Sequence, residues 1–276
     1  MSNTKQDFSN WLIASDIDGT LNDKKRNLPK RNYDAIQKFV HELGGHFTLA
    51  SGRSPMAMKA QMERINVPNS VVIALNGACI YDFEHDKMIW SLHLTDANVQ
   101  LSKDALKKFK LVSAQVVTDE CIYVFRAVPS CLIYAKTQKM PIKHIKSLDE
   151  IKEPWLKVIH TGNPLSVSKA YKFIQSKCTT EENLMSTSPF SFDLVSEDTN
   201  KGKAVLMLAE SLGIKQENTA AIGDYFNDYE MLKAVAMPAC CGQAPQGMKD
   251  ISKLVTCHCN NGAVADLIEY IIKNFN

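Results

Sequence analysis

Two carboxylates, Asp16 and Asp18, stand just past the apolar run Trp11-Leu12-Ile13-Ala14. The run reads as a buried strand, and the end of such a strand is where open α/β sheets place their chemistry. Gly19 permits a sharp turn there and Thr20 a local hydrogen bond. Three further loops place polar groups just after a strand or at a helix start: Ser51-Gly52, Lys201-Gly202 and Gly223-Asp224-Tyr225-Phe226-Asn227-Asp228. In a parallel sheet the strand ends share one edge, so these loops can converge. Clustered carboxylates repel unless a cation holds them, and all-oxygen donors suit a hard ion such as Mg²⁺, which keeps waters and substrate phosphate as further ligands. Ser51 and Lys201 supply donors for phosphate oxygens. Lys201 and Gly202, at a helix start, add backbone N–H groups and the positive end of the dipole. The chemistry this suits is phosphoryl transfer. One carboxylate can act as nucleophile and form an aspartyl-phosphate; another can protonate the leaving oxygen and then deprotonate water.

The elements that must position these loops alternate from the start. Pro29 opens a helix carrying Tyr33, Ile36, Val40 and Leu43, which Gly44-Gly45 stop. His46–Ala50 reads as a strand, Pro55 to Ile65 as a helix whose methionines 56, 58 and 62 pack the core, and Val71–Leu75 as a third strand. This βαβαβ run predicts a doubly wound parallel sheet. A hairpin follows from about Cys79 to Leu92, turned at Glu84-His85-Asp86. Strands are then expected at 111–118, 122–127, 155–161 and 191–196, with helices at 129–139 and 166–176. No element is assigned to 96–108. The doubly wound pattern resumes at Asn200 with a helix at 203–212, a strand at 219–222, and helices at 228–234 and 263–273. The expected division is a core of residues 1–83 and 197–276 and an inserted domain of residues 84–196.

The chain has 276 residues, 45% of them hydrophobic, enough for a sizeable core at the size where chains split into two domains. Charge is nearly balanced, with 32 Lys+Arg against 30 Asp+Glu, which argues against a nucleic-acid partner or a membrane surface. The polar start Met1–Asp7 has no apolar signal region, and no apolar run reaches the length of a membrane span, so a cytoplasmic protein is expected. The eight cysteines then read as free thiols. Cys240-Cys241 and Cys257-His258-Cys259 lack the spacing of zinc-ligand pairs.

Taken together, Asp16-Ile17-Asp18-Gly19-Thr20-Leu21, Ser51, Lys201 and Gly223–Asp228 resemble the four signature motifs of the haloacid dehalogenase superfamily, in their order and sheet context. Ala50-Ser51-Gly52-Arg53, Asn76-Gly77-Ala78, Asn200-Lys201-Gly202 and Asn261-Gly262-Ala263-Val264 resemble its Cof-type branch, the subfamily IIB phosphatases. The resemblance implies a Rossmann-like doubly wound core with an inserted α/β cap of the C2B type. It implies Asp16 as nucleophile and metal ligand, and Asp18 as general acid/base with its backbone carbonyl on the metal. Asp224 becomes a second carboxylate on Mg²⁺, and Asp228 a residue that orients that shell. Ser51, the Gly52 N–H, Lys201 and Asn227 would hold the phosphoryl group. The implied activity is hydrolysis of small phosphate monoesters, with sugar phosphates the leading class. A phosphomutase and a non-catalytic regulatory protein on the same fold remain alternatives.

One departure is visible: similar chains carry a Met-Gly-Asn-Ala turn after motif four, where this chain has Ala236–Gln243. Other residues carry plainer expectations. Lys201 in isolation is a surface lysine, and Ser51-Gly52-Arg53 in isolation a common strand-to-helix turn. Asp193 either faces the substrate or is a solvated strand residue, and His160 is a packed histidine. Which metabolite binds, and in what oligomeric state, is left open by the sequence.

Overall fold

The computed structural model describes residues 6–68, 70–178 and 184–275, so most of the polar start lies outside them. The chain runs β1 (Leu12–Ser15), α1 (Lys30–Gln37), β2 (His46–Ala50), α2 (Pro55–Ile65), β3 (Val71–Ala74) and the hairpin β4 (Cys79–Asp82) and β5 (Lys87–Ser91). Next come α3 (Asp96–Lys108), β6 (Val112–Val117), β7 (Ile122–Phe125), α4 (Pro129–Thr137), β8 (Ile142–Ile145), β9 (Lys157–Gly162), α5 (Pro164–Gln175), β10 (Leu184–Ser188) and β11 (Ser191–Val195). Last are α6 (Lys201–Ser211), β12 (Thr219–Gly223), α7 (Tyr229–Ala234), β13 (Met237–Cys240), α8 (Gln246–Asp250), β14 (Leu254–Val255) and α9 (Ala263–Asn274). The described residues fall into two compact units, one within Met1–Gly52, Met58–Ile89 and Asn200–Asn276, the other within Arg53–Ala57 and Trp90–Thr199.

The sheet of the first unit runs β14-β13-β12-β1-β2-β3-β4-β5. Every pairing from β14 to β3 is parallel, and β4 turns back antiparallel to β3, so the expected parallel sheet carries an antiparallel edge. β1 lies between β2 and β12, where the strand order reverses, and so the first strand of the chain sits at the switch point. Leu12–Ser15 is buried throughout, as a central strand covered on both faces requires. On the rim, α1 continues as a wider helical turn over Lys38–Glu42, which Gly44, at φ 80°, ends. α9 buries Val264, Leu267, Ile268 and Ile271 along one face, each contributing about 1.5–3 kcal/mol. Met58 and Met62 of α2 are buried in the core, while Met56 is only half-buried.

The second unit is built on the sheet β10-β11-β9-β6-β7-β8, antiparallel except between β7 and β8. One face presents Ala114, Val116, Val158, Phe192 and Leu194 to Leu101, Ala105 and Leu106 of α3 and to Val167, Ala170 and Ile174 of α5. His160 packs on that face as expected. It stacks on Phe192 with ring centroids 4.5 Å apart, hydrogen-bonds Ser102 at 3.0 Å, and is held neutral by burial, which lowers its pKa to about 3. The opposite face mixes polar and charged side chains with buried Val117, Ile159 and Val195. Asp193 is neither solvated nor open: its carboxylate lies 2.6 Å from Lys157 Nζ, with both side chains buried. The register explains the pair, because Asp193 sits opposite Ile159, two residues from Lys157 on the same face.

Candidate active site

β1 delivers Asp16 at its carboxyl end, and the Asp16 N–H continues the ladder to β12 by donating to the Ile222 carbonyl at 3.0 Å. β12 delivers Asp224 on the neighbouring strand. The two carboxylates are thus placed side by side by the switch point itself. The chain after Asp16 folds back at once, with the Leu21 N–H on the Asp16 carbonyl and the Asn22 N–H on that of Ile17. Gly19 makes this possible: its φ is +83°, and a Cβ there would lie 2.4 Å from Asp224 Oδ2.

α6 brings in the ammonium. Lys201 is its first residue and is only 2% exposed, so the expectation for an isolated surface lysine does not hold here. Its Nζ lies 2.9 Å from Asp16 Oδ1 and 2.6 Å from Asp228 Oδ1. Asp228 spends its other oxygen on the Asp224 N–H, at 3.2 Å, and so locks the turn that carries Asp224. Asn200 caps α6 by accepting from the N–H groups of Gly202 and Lys203 at 2.7 and 3.1 Å. That corrects one expectation: the Gly202 N–H is already taken by a side chain. Gly202 instead serves packing, since a Cβ there would meet the Glu230 carbonyl of α7 at 2.4 Å.

Ser51 and Gly52 follow β2. Ser51 is buried, its N–H on the Ile73 carbonyl and its own carbonyl accepting from Asn76. The next turn is tight: Leu75 and Asn76 take φ of 52° and 61°, Asn76 Oδ1 lies 2.9 Å from where a Gly52 Cβ would be, and a Gly77 Cβ would strike the Asn200 carbonyl at 2.4 Å. This turn therefore wedges the Ser51 loop against the start of α6. Asp18 is exposed, and Asn227 is exposed with its amide 3.5 Å from Asp228 Oδ1.

Asp16, Asp224 and Asp228 each offer an oxygen within 4.8 Å of the others. Burial and then the neighbouring Asp228 charge raise the Asp16 pKa to about 7, although Lys201 pulls it down. Burial and then the charge of Asp16 raise Asp224 to about 6. Burial by itself would lower the Lys201 ammonium, but the charges of Asp16 and Asp228 and the hydrogen bonds to them hold it above its usual range. With all three carboxylates ionised against one ammonium, the site carries two negative charges, and the raised pKa values of Asp16 and Asp224 show what holding them out of water costs without a cation. An all-oxygen donor set with that charge fits a hard divalent cation.

Sequence reasoning passed over Gln243. Its Nε2 donates to the Gly19 carbonyl at 2.6 Å, and its Oε1 accepts from the Cys259 N–H at 3.1 Å. It lies in the segment that departs from the Cof-type turn, which was the available signal. Tyr225 and Phe226, T-shaped at 5.4 Å, are exposed between the two aspartates of their loop. Cys240, Cys241, Cys257 and Cys259 are free thiols, and burial raises the pKa of each, Cys257 to about 11.

Residues 13–268 match the family described as haloacid dehalogenase-like hydrolases. The chain belongs to that family. M6_Spy0533 of Streptococcus pyogenes serotype M6 is 27% identical over 267 residues, covering 95% of this chain and 98% of that protein. Phosphatase YwpJ of Bacillus subtilis is 24% identical over 95% of this chain and 99% of its own length. Among solved structures, a haloacid dehalogenase-like hydrolase from Bacteroides thetaiotaomicron superposes with a TM-score of 0.82 at 24% identity, covering 95% of this chain and 99% of that one. The subclass IIB sugar phosphatase BT4131 superposes with a TM-score of 0.76 at 21% identity, covering 95% and 98%. The two-sheet α/β architecture is that of subclass IIB haloacid dehalogenase-like hydrolases. No helix among the described residues is long and apolar enough to cross a membrane.

Proposed function

We propose that this haloacid dehalogenase-like hydrolase is a Mg²⁺-dependent phosphatase acting on small phosphate monoesters, sugar phosphates first among them, in the cytoplasm. The observation that carries the reading is the Asp16 carboxylate at the switch point, 2.9 Å from a buried lysine and beside Asp224. The activities named for YwpJ and for BT4131 support the reaction and the substrate class. On this reading residues 1–83 and 197–276 form the catalytic core and 84–196 a specificity-setting cap.

An Asp16 oxygen attacks phosphorus and forms the aspartyl-phosphate while the P–O bond to the leaving group breaks. Asp18, exposed at the turn after β1, gives its proton to the leaving oxygen. It then takes a proton from water, whose oxygen attacks the same phosphorus and returns Asp16 as carboxylate and phosphate as product. Lys201, Ser51, the Gly52 N–H and Asn227 hold the phosphoryl oxygens, and Lys201 meets charge there without reorganising because Asp16 and Asp228 already fix it. Asp16, the Asp18 carbonyl and Asp224 would hold Mg²⁺, and Asp228 orients that set. The ion supplies neutralisation of charge on the phosphoryl group.

Phosphate release from a broad panel of phosphorylated metabolites, with and without Mg²⁺, tests the reading. Asp16→Asn should abolish turnover on every substrate, and Asp18→Asn should lower kcat by about 10²–10⁴. Wild-type kcat in either variant would refute the assigned roles, and dependence on a bisphosphate activator would turn the assignment to a mutase.

A further inference from the structure

Gln243, in the loop after β13, ties together three segments that are far apart in the chain. Its amide donates to the Gly19 carbonyl of the β1 loop and accepts from the Cys259 N–H of the turn before α9. Its nearness to the Asp224 carboxylate at the end of β12 offsets part of the rise in pKa that burial gives that group. The orientation of the amide follows from its neighbours. A backbone N–H only donates, so the atom facing Cys259 is oxygen. A backbone carbonyl only accepts, so the atom facing Gly19 is nitrogen.

Gly19 is itself in tight contact with Asp224. No side chain fits at Gly19, where a Cβ would lie 2.4 Å from Asp224 Oδ2. The Asp224 carboxylate is therefore bounded by Gly19, whose peptide the Gln243 amide grips through its carbonyl. The Asp224 N–H is separately fixed by Asp228. The backbone of Asp224 is thus anchored by Asp228, and its carboxylate rests against the Gly19 turn that Gln243 holds.

We propose that Gln243 is a positioning residue that fixes the Gly19 turn against the Asp224 carboxylate for metal binding. The inference rests on the metal-site reading given above. Hydrogen-bonded partners of metal ligands orient them, and their loss typically weakens metal affinity or activity by about 10–100-fold. Gln243 reaches no phosphoryl-holding residue among its hydrogen bonds, so its removal acts on the metal side of the site.

The test uses the full-length protein, Gln243→Met and Gln243→Ala. Met keeps the length of the side chain and removes both hydrogen bonds; Ala removes the side chain. Mg²⁺ binding is measured without substrate, by titration calorimetry and by the Mg²⁺-induced rise in Tm. The Mg²⁺ concentration for half-maximal activity and the KM for an aryl phosphate at saturating Mg²⁺ are measured beside it. Gln243→Met is expected to weaken Mg²⁺ binding about tenfold or more and to raise the half-activating concentration by a similar factor. The aryl phosphate KM stays within about twofold of wild type, and the metal-free Tm within a few degrees. Unchanged Mg²⁺ affinity in Gln243→Met overturns the proposal. So does a fall in metal-free Tm with no change in half-activating Mg²⁺, the result of a merely structural role. A wild-type protein that binds no Mg²⁺ overturns the metal-site reading itself, and is recognised before any variant is compared.

Discussion

Lys201 Nζ lies 2.9 Å from Asp16 Oδ1 where neither side chain is more than 8% exposed. A lysine so placed is committed, because its ammonium is out of water and its partners are two carboxylates from different loops. Removing one member of a buried ionic set leaves the others uncompensated, at a cost of about 3–5 kcal/mol. Lys201→Ala is therefore expected to lower stability by that order in urea unfolding and to depress kcat/KM for all phosphate esters together. A selective change across several sugar phosphates and one aryl phosphate would contradict a phosphoryl contact common to all.

Acid should strengthen the metal-free protein. Asp16 and Asp224 bind protons more tightly when folded, at about 7 and about 6, than at the ordinary 3.8. Between these values and about pH 4 the native state holds protons that the unfolded chain does not, so stability falls as pH rises through that window. Asp23, Asp82, Asp149 and Asp266 have lowered values, and their contribution is lost only in more acid solution, as pH falls below about 4. In chelator, Tm should rise from pH 7.5 to 5. Saturating Mg²⁺ should flatten or invert the trend, because the ion needs the deprotonated carboxylates. A Tm in chelator that falls over that range would count against the buried carboxylates as its source.

Gly19→Ala should damage the site more than the fold. The methyl meets Asp224 Oδ2 at 2.4 Å and the backbone sits at φ +83°, so either the turn or the carboxylate must move. A loss of about 10–100-fold in kcat/KM is expected, with a raised Mg²⁺ requirement. Steady-state kinetics over a Mg²⁺ series checks it, and an active variant with unchanged Mg²⁺ dependence would rule it out.

Asp193→Asn leaves Lys157 buried without its counter-charge and should cost about 3–5 kcal/mol. Because a buried pair is often matched by apolar residues of similar volume, Asp193→Leu combined with Lys157→Met should recover most of the loss. Unfolding of both single variants and the double variant measures the coupling, and strictly additive losses would show that the contact carries no energy.

Much of the site was legible because it is local. Asp16, Ser51 and Asp224 each follow a strand whose apolar run and end are plain, and β2 and α2 have the boundaries that the sequence predicts. The partners were less legible than the residue types. That Asp228 would hold Lys201, or Gln243 reach Gly19, depends on chain closure between segments many residues apart. The solvated alternative for Asp193 fails because period-2 alternation cannot say that Lys157 lies diagonally opposite. The helix Asp96–Lys108 went unread although Thr95 caps it and Lys107 and Lys108 close it, since its polar face obscures the apolar one. Leu75 gave no warning of its positive φ, because leucine rarely takes that conformation.

That turn bears on how this protein could be made hardier. Leu75 and Asn76 hold backbone angles that cost about 1–3 kcal/mol each outside glycine. An engineer seeking heat tolerance would relax them first. Yet the same turn packs Gly77 against Asn200 and Asn76 against Gly52, so it clasps two loops of the catalytic edge at once. Relaxing it would trade rigidity at the active edge for endurance of the whole, and the fold has settled on the former.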